Sequence, residues 1–243
     1  MPNARATWTY ICFMTSRATE LRVALIVFGI LAVTFVAFPQ IDLWASGLFY
    51  RGEGQWLFSR DDPWLNIPYR GLPRIGQGML VVLLALLLLS FVKRFSGLRA
   101  RRSLFGFLLA GALLGPVLLV DGTLKEHSGR TRPVNTENFG SSRQFTPAFI
   151  PADQCQQNCS FVSGHVATAS FIMAFGWLGA PAIRRRWLLG SIAFGGLFAL
   201  VRMSPGGHFL SDCIFAWFAT YFSLWLTEWA FRRLGWLPRS GAQ

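Results

Sequence analysis

With 53% hydrophobic residues among 243 and a mean hydropathy of +0.41, the sequence is too apolar for an ordinary soluble domain. Its formal net charge of +12 could suggest a nucleic-acid partner. The basic residues instead stand in short clusters between apolar blocks, with no basic amphipathic stripe and no helix-turn-helix or RNA-binding pattern, so a nucleic-acid role is excluded in favour of an all-α, polytopic membrane protein.

Residues 1–21 are polar to mixed and carry Arg5, Cys12 and Arg17. The first apolar run covers 22–38 and ends before Pro39. A basic flank ahead of a short apolar core also fits a cleaved signal peptide, but no small-x-small cleavage site follows, so an uncleaved signal anchor is expected. Residues 40–73 set Trp44, Phe49, Tyr50, Trp56, Phe58, Trp64 and Tyr69 among prolines and polar residues, the composition of a segment lying at the water–lipid interface. The same aromatics could form part of a mouth that admits a lipid headgroup.

A second span is expected over 75–92, followed by the cluster Lys93, Arg94, Arg99, Arg101 and Arg102. A third covers 104–120, where Pro116 can kink the helix. After a long polar loop, 121–162, come a fourth span at 164–180, the cluster Arg184, Arg185 and Arg186, a fifth span at 187–201, a tight turn from Ser204 to Gly207, and a sixth span at 209–231. No internal repeat, low-complexity stretch or linker divides the chain, so 1–243 reads as one domain built as a six-transmembrane-helix bundle.

Six spans put both termini on one side. With cytoplasmic termini, the inner segments hold fourteen of the 23 basic residues, and the outer segments hold nine basic residues and nine of the 11 acids. The positive-inside rule therefore favours cytoplasmic termini.

This topology brings three polar clusters to one outer face. Lys125 follows the third span, with Arg132 and Pro133 beyond it. Ser163, Gly164 and His165 open the fourth span; Arg202 closes the fifth; His208 and Asp212 open the sixth. Charge at a membrane boundary is costly unless it has a task. Lys125, Arg132 and Arg202 offer only donors and suit phosphoryl oxygens. Ser163 and Gly164 expose backbone N–H groups at a helix start, and Gly164 allows close approach. His208 and Asp212, four apart, should share a helical face, with the carboxylate holding the imidazole in one tautomer. His165 can protonate a leaving oxygen. His127, Arg130 and Arg143 of the same loop are assigned no role.

The pattern Lys125…Arg132-Pro133, Ser163-Gly164-His165 and Arg202…His208…Asp212 resembles the three-part signature of the type 2 phosphatidic acid phosphatase (PAP2) superfamily, spread over residues 121–212. Two positions depart from it: Val162 stands where family members usually have Pro, and Val201 where they usually have Ser. The resemblance implies a metal-independent phosphatase without a cofactor. His208 is then the nucleophile that forms a phosphohistidine, Asp212 its orienting group and His165 the general acid, while Lys125, Arg132, Ser163, Gly164 and Arg202 hold the phosphate. No His, Cys and acid cluster has zinc spacing, and three cations would repel a divalent ion unless phosphate came with it.

Within the family the chain looks most like bacterial inner-membrane enzymes that dephosphorylate lipid A, with phosphatidylglycerophosphate and undecaprenyl pyrophosphate phosphatases as alternatives. The implied partners are a phosphorylated lipid and the bilayer, with no obligatory protein partner and a site facing the periplasm. An anion transporter is the rival of another class, but it would place charges deep in several spans, and these spans are nearly free of charge. An inactive scaffold would not require His165, His208 and Asp212 together. Cys155 and Cys159 could close a small disulfide ring in an oxidising compartment; metal binding is the alternative, though no partner ligands are near. Cys12 and Cys213 are expected to be inert.

Overall fold

The computed structural model describes residues 17–59 and 61–238, so Arg5 and Cys12 lie outside the described residues. The chain is mostly helical. Helix α1 (Arg17–Ala37) stops ahead of Pro39, and a short α2 (Gln40–Gly47) turns back across the top of the bundle. A hairpin of β1 (Tyr50–Gly52) and β2 (Gln55–Trp56) follows, closed by Glu53 and Gly54, both at positive φ as a two-residue hairpin turn requires.

Helix α3 (Pro63–Leu89) starts well before the second span read from the sequence, because Pro63 sits in its first turn, where a missing N–H costs nothing. Residues 63–73 are thus helix and not loop. After α4 (Ser96–Ala100) comes α5 (Arg102–His127), whose segment Leu113–Leu124 winds with π-helical hydrogen bonding around Pro116. The loop that follows leads to α6 (Gly164–Ser170) and α7 (Met173–Trp177), then α8 (Pro181–Met203) and α9 (Leu210–Arg233).

Among the described residues four helices are long and apolar enough to cross a membrane: α1, α3, α5 and α8. The expected count of six is not confirmed by that measure. The fourth span, 164–180, is two short helices broken near Phe171, and both are buried. The sixth, α9, has 24 residues but buries Ser211, Asp212, Thr220, Ser223, Thr227 and Glu228, which lower its hydropathy and mark it as the central helix of the bundle. The outward faces of α1 and α3 are apolar, with Ile26, Val33 and Val81 exposed, as lipid requires of a helical membrane protein.

Packing forms two apolar clusters. One joins Phe161, Val166, Phe198 and Phe215 near the start of α9; the other joins Phe107, Phe171, Trp177 and Leu224 toward its end. The aromatics of 40–73 divide. Trp44 and Trp64 are exposed, as an interfacial belt requires, whereas Tyr50 and Trp56 pack edge-on against Phe139 of the long loop.

Candidate active site

The three polar clusters converge at one end of the bundle. Helix α5 delivers Asp121 and Lys125, one turn apart and ion-paired at 2.9 Å. This pair lies directly against the start of α6. A β-carbon on Gly164 would stand 2.5 Å from an Asp121 carboxylate oxygen and 2.9 Å from Lys125 Nζ, so a side chain there would push the pair aside. Ser163 is buried, and its N–H donates to the Asp212 carbonyl at 3.0 Å, tying α6 to α9.

Arg202 ends α8, buried, with its guanidinium 4.6 Å from the centre of the Tyr69 ring. The turn after it explains the two glycines. Gly206 has φ +67°, and a β-carbon there would collide with the Trp56 ring at 2.4 Å. At Gly207 a β-carbon would lie 2.8 Å from the Arg202 carbonyl and 3.0 Å from its guanidinium. Arg132 is held by Asn158, whose backbone and side-chain oxygens accept from Nη2 at 2.8 and 3.0 Å. Cys155 and Cys159 are joined in a disulfide with Cα atoms 5.6 Å apart. The ring they close carries Asn158, and the Cys159 N–H donates to the Lys125 carbonyl at 3.0 Å.

His208 lies buried at the centre. Burial first, and then Arg202, Arg132, Lys125 and His165, hold its imidazole well below the ordinary histidine range and therefore neutral. Its Nδ1 donates to the Ser160 carbonyl at 2.8 Å, which leaves the Nε2 lone pair available.

Asp212, expected as the direct partner of His208, lies beside it without a direct hydrogen bond. Asp212 Oδ2 stands 3.6 Å from His208 Nδ1, beyond a hydrogen bond. The i,i+4 rule does not apply, because α9 begins at Leu210 and His208 precedes it. The carboxylate is instead occupied by Arg130 Nη1 at 2.6 Å, the Ser160 hydroxyl at 2.5 Å and the Phe209 N–H at 2.8 Å. It reaches the imidazole through Ser160, whose hydroxyl donates to Asp212 while its carbonyl accepts from His208.

Arg130, given no role in the sequence reading, is the keystone of this support. It is 1% exposed, and its Nη2 meets Asp42 at 2.8 Å while its Nη1 meets Asp212 and the Ser211 hydroxyl. Its Nε donates to the Thr146 carbonyl at 2.8 Å, and its face packs on Phe209 at 4.4 Å. Asp42 also accepts the N–H and hydroxyl of Ser211. The signal that could have found this pairing is Asp42 itself, a carboxylate set in an aromatic, lipid-facing segment where it needs a cation. His165 is half-buried; its Nε2 bonds the Tyr69 backbone carbonyl at 2.8 Å, and its ring stacks on the Tyr69 ring with centroids 4.9 Å apart.

A cavity of about 480 Å³ opens beside Arg132, lined by Tyr69, Arg132, Val134, Asn135, Gln157 and Asn158. Among the described residues no group of three His, Cys, Asp or Glu side chains is placed to hold a metal ion. The site can thus present a neutral imidazole, a second imidazole and three cations to one anionic group.

Fold and site together define a helical membrane protein with a histidine-centred, cation-lined site at one end of its bundle. The chain belongs to the PAP2 superfamily, whose family model matches residues 79–236. Curated relatives include a lipid A 4'-phosphatase of Francisella tularensis subsp. novicida, 34% identical over 200 residues that cover 80% of this chain and 87% of the relative. Lipid A 4'-phosphatases of Rhizobium etli and Rhizobium leguminosarum are 33% and 32% identical, each over 78% of this chain and over 79% and 87% of their own lengths. No solved structure matches the chain.

Proposed function

We propose that this protein is an inner-membrane lipid phosphatase that hydrolyses a phosphate monoester on a membrane-anchored lipid, with lipid A as its substrate, through a phosphohistidine. The observation that carries the reading is the buried, neutral His208, fixed at Nδ1 by Ser160 and surrounded by Arg202, Arg132, Lys125 and His165. The names of the relatives, all lipid A 4'-phosphatases, support the substrate.

His208 Nε2 attacks phosphorus. The N–P bond forms as the P–O bond to the lipid breaks, and His165, taking up a proton as the bound phosphate offsets the neighbouring cations, gives it to the departing oxygen. Lys125, Arg132, Arg202 and the backbone at Ser163 and Gly164 take up the charge on the phosphoryl oxygens. Water then attacks phosphorus, the N–P bond breaks, and His165 recovers a proton. Through Ser160, the Asp212–Arg130–Asp42 chain keeps the nucleophile in one tautomer. The cations of the site do the work a divalent ion does in other phosphatases, so turnover is expected to survive EDTA. Loss of activity in EDTA, restored by a divalent ion, would overturn that point.

The amide-lined cavity beside Arg132 suits the hydroxyl-rich headgroup next to the phosphate. The decisive assay compares phosphate release from lipid A, phosphatidylglycerophosphate, undecaprenyl pyrophosphate and glucose 6-phosphate in one detergent. Lipid A should be the best substrate; equal or better kcat/KM on glucose 6-phosphate would contradict a lipid phosphatase. The charge bias supports cytoplasmic termini and a site that faces the periplasm. An impermeant thiol reagent should then label Asn138→Cys in intact spheroplasts but not Ser96→Cys, both exposed positions. The reverse pattern would invert the topology.

A further inference from the structure

His165 is held by an element outside the three-part signature and ahead of the residues matched by the family model, 79–236. The acceptor for its Nε2 is the backbone carbonyl of Tyr69, in the first turns of α3. In a regular helix that carbonyl accepts the N–H four residues on. Here that residue is Pro73, which has no N–H. The proline therefore releases one carbonyl from the helix ladder, and a half-buried backbone acceptor needs another donor. His165 Nε2–H supplies it at 2.8 Å. The Tyr69 ring adds a second restraint by stacking on the imidazole while also lying under the Arg202 guanidinium.

A carbonyl can only accept. The bond therefore places a proton on Nε2 in the neutral ring and leaves Nδ1 as the nitrogen that gains and loses one. We propose that Pro73 is a positioning residue: by withholding one helix N–H it frees the Tyr69 carbonyl to hold His165 as the Nε2–H tautomer, with Nδ1 the nitrogen that passes its proton to the leaving oxygen. In that step the Nδ1–H bond breaks, the O–H bond of the leaving alcohol forms, and the neutral Nε2–H imidazole remains. The assignment rests on the phosphatase reading above.

The test uses leaving-group dependence, which a merely structural residue would not move. Pro73→Ala restores the N–H, and alanine is the better helix former, so α3 persists while the carbonyl returns to the ladder. Pro73→Gly restores the same N–H and must behave alike. Pro68→Ala is the control, since the N–H it adds faces the Trp64 carbonyl and not that of Tyr69. Two esters are compared in the same detergent: lipid A, whose alkoxide must be protonated to leave, and p-nitrophenyl phosphate, whose phenolate leaves without a proton. A positioned general acid contributes about 10²–10⁴-fold, so both position-73 variants should lose about tenfold or more in kcat/KM on lipid A and less than about threefold on the aryl ester. Pro68→Ala should match the wild type on both. Equal losses on the two esters, no loss at position 73, or the same selective loss in Pro68→Ala would each overturn the assignment. Wild-type protein that releases phosphate from neither ester would instead refute the phosphatase reading itself.

Discussion

At the end of the bundle opposite the site, Arg184 donates to both oxygens of Glu20 at 2.8 and 2.7 Å, and Tyr221 donates to the same carboxylate. Arg17, Arg232 and the Trp177 indole converge on Glu228, and the Arg184 guanidinium lies 3.7 Å from the centre of the Trp177 ring. At the site end, Arg130 joins Asp42 and Asp212 in much the same way, with Phe209 in the place of Trp177. The two networks share their parts, guanidinium, carboxylate, hydroxyl or indole donors and an aromatic plate, but the far end sets three guanidiniums on two carboxylates and the site end one. Their neighbourhoods differ too. The Glu20–Glu228 network ends on itself, whereas the Arg130 network carries Ser160 and through it a neutral histidine that faces three more cations. Burial of charge therefore marks a rigid joint, and chemistry requires titratable groups set beside an excess of one sign.

The sharpest break in the comparison is His208→Ala. It removes the proposed nucleophile without touching Arg130, so phosphate release should fall to background in protein that still folds, with the unfolding temperature in detergent lowered by the cavity that a buried imidazole leaves. Substantial residual turnover would sink the nucleophile assignment.

The second test pits the networks against each other. Arg130→Ala leaves two buried carboxylates short of a cation and should destabilise the protein by about 3–5 kcal/mol, whereas Arg184→Ala leaves only the half-buried Glu20 short of one and should cost less, both read as a lowered unfolding temperature. Only Arg130→Ala should also lower turnover per folded molecule, by about a hundredfold, because only that network orients the imidazole. If both variants lose specific activity equally, the two ends do not differ in the way described.

A smaller effect is expected at the disulfide. Replacing Cys155 and Cys159 with Ser opens a ring of five residues, worth about 2 kcal/mol by loop entropy. It also loosens Asn158, so KM on lipid A should rise severalfold through Arg132 while the unfolding temperature falls modestly. Unchanged KM would detach the ring from the site. Smallest of all, Asn135→Ala removes one amide from the cavity beside Arg132. It should raise KM on lipid A by about two- to tenfold, the worth of one neutral hydrogen bond, and leave p-nitrophenyl phosphate unaffected.

The positions of the three clusters were legible because a charge at the end of an apolar run stands out, and because alternating passes bring every second end to one face. The count of six spans is left unconfirmed, with four described helices long and apolar enough to cross. Hydropathy judges helices singly, but α6 and α7 are short pieces sheltered by their neighbours, and α9 keeps polar groups inside the bundle. Arg130 was not legible. Nothing in its local sequence separates it from Arg132, and its partner Asp42 lies 88 residues away on α2. His208 and Asp212 do lie side by side, but the direct hydrogen bond expected of a helical four-residue spacing is absent, because the helix begins after His208. Pro73 was visible as a helix proline. What it does depends on His165 being brought up against Tyr69, which only the tertiary arrangement supplies.

The adjacent glycines 206 and 207 act as shims of minimum thickness. On one side the Trp56 ring presses on the turn and on the other the Arg202 guanidinium does, with no room for a methyl group on either face. The hairpin that carries Trp56, far from His208 in sequence, thereby becomes a backstop for the loop that presents His208. Swelling the turn by a single carbon at either glycine would have to move the hairpin, the cation or the histidine, so the dimension of the site is set by what these two residues lack.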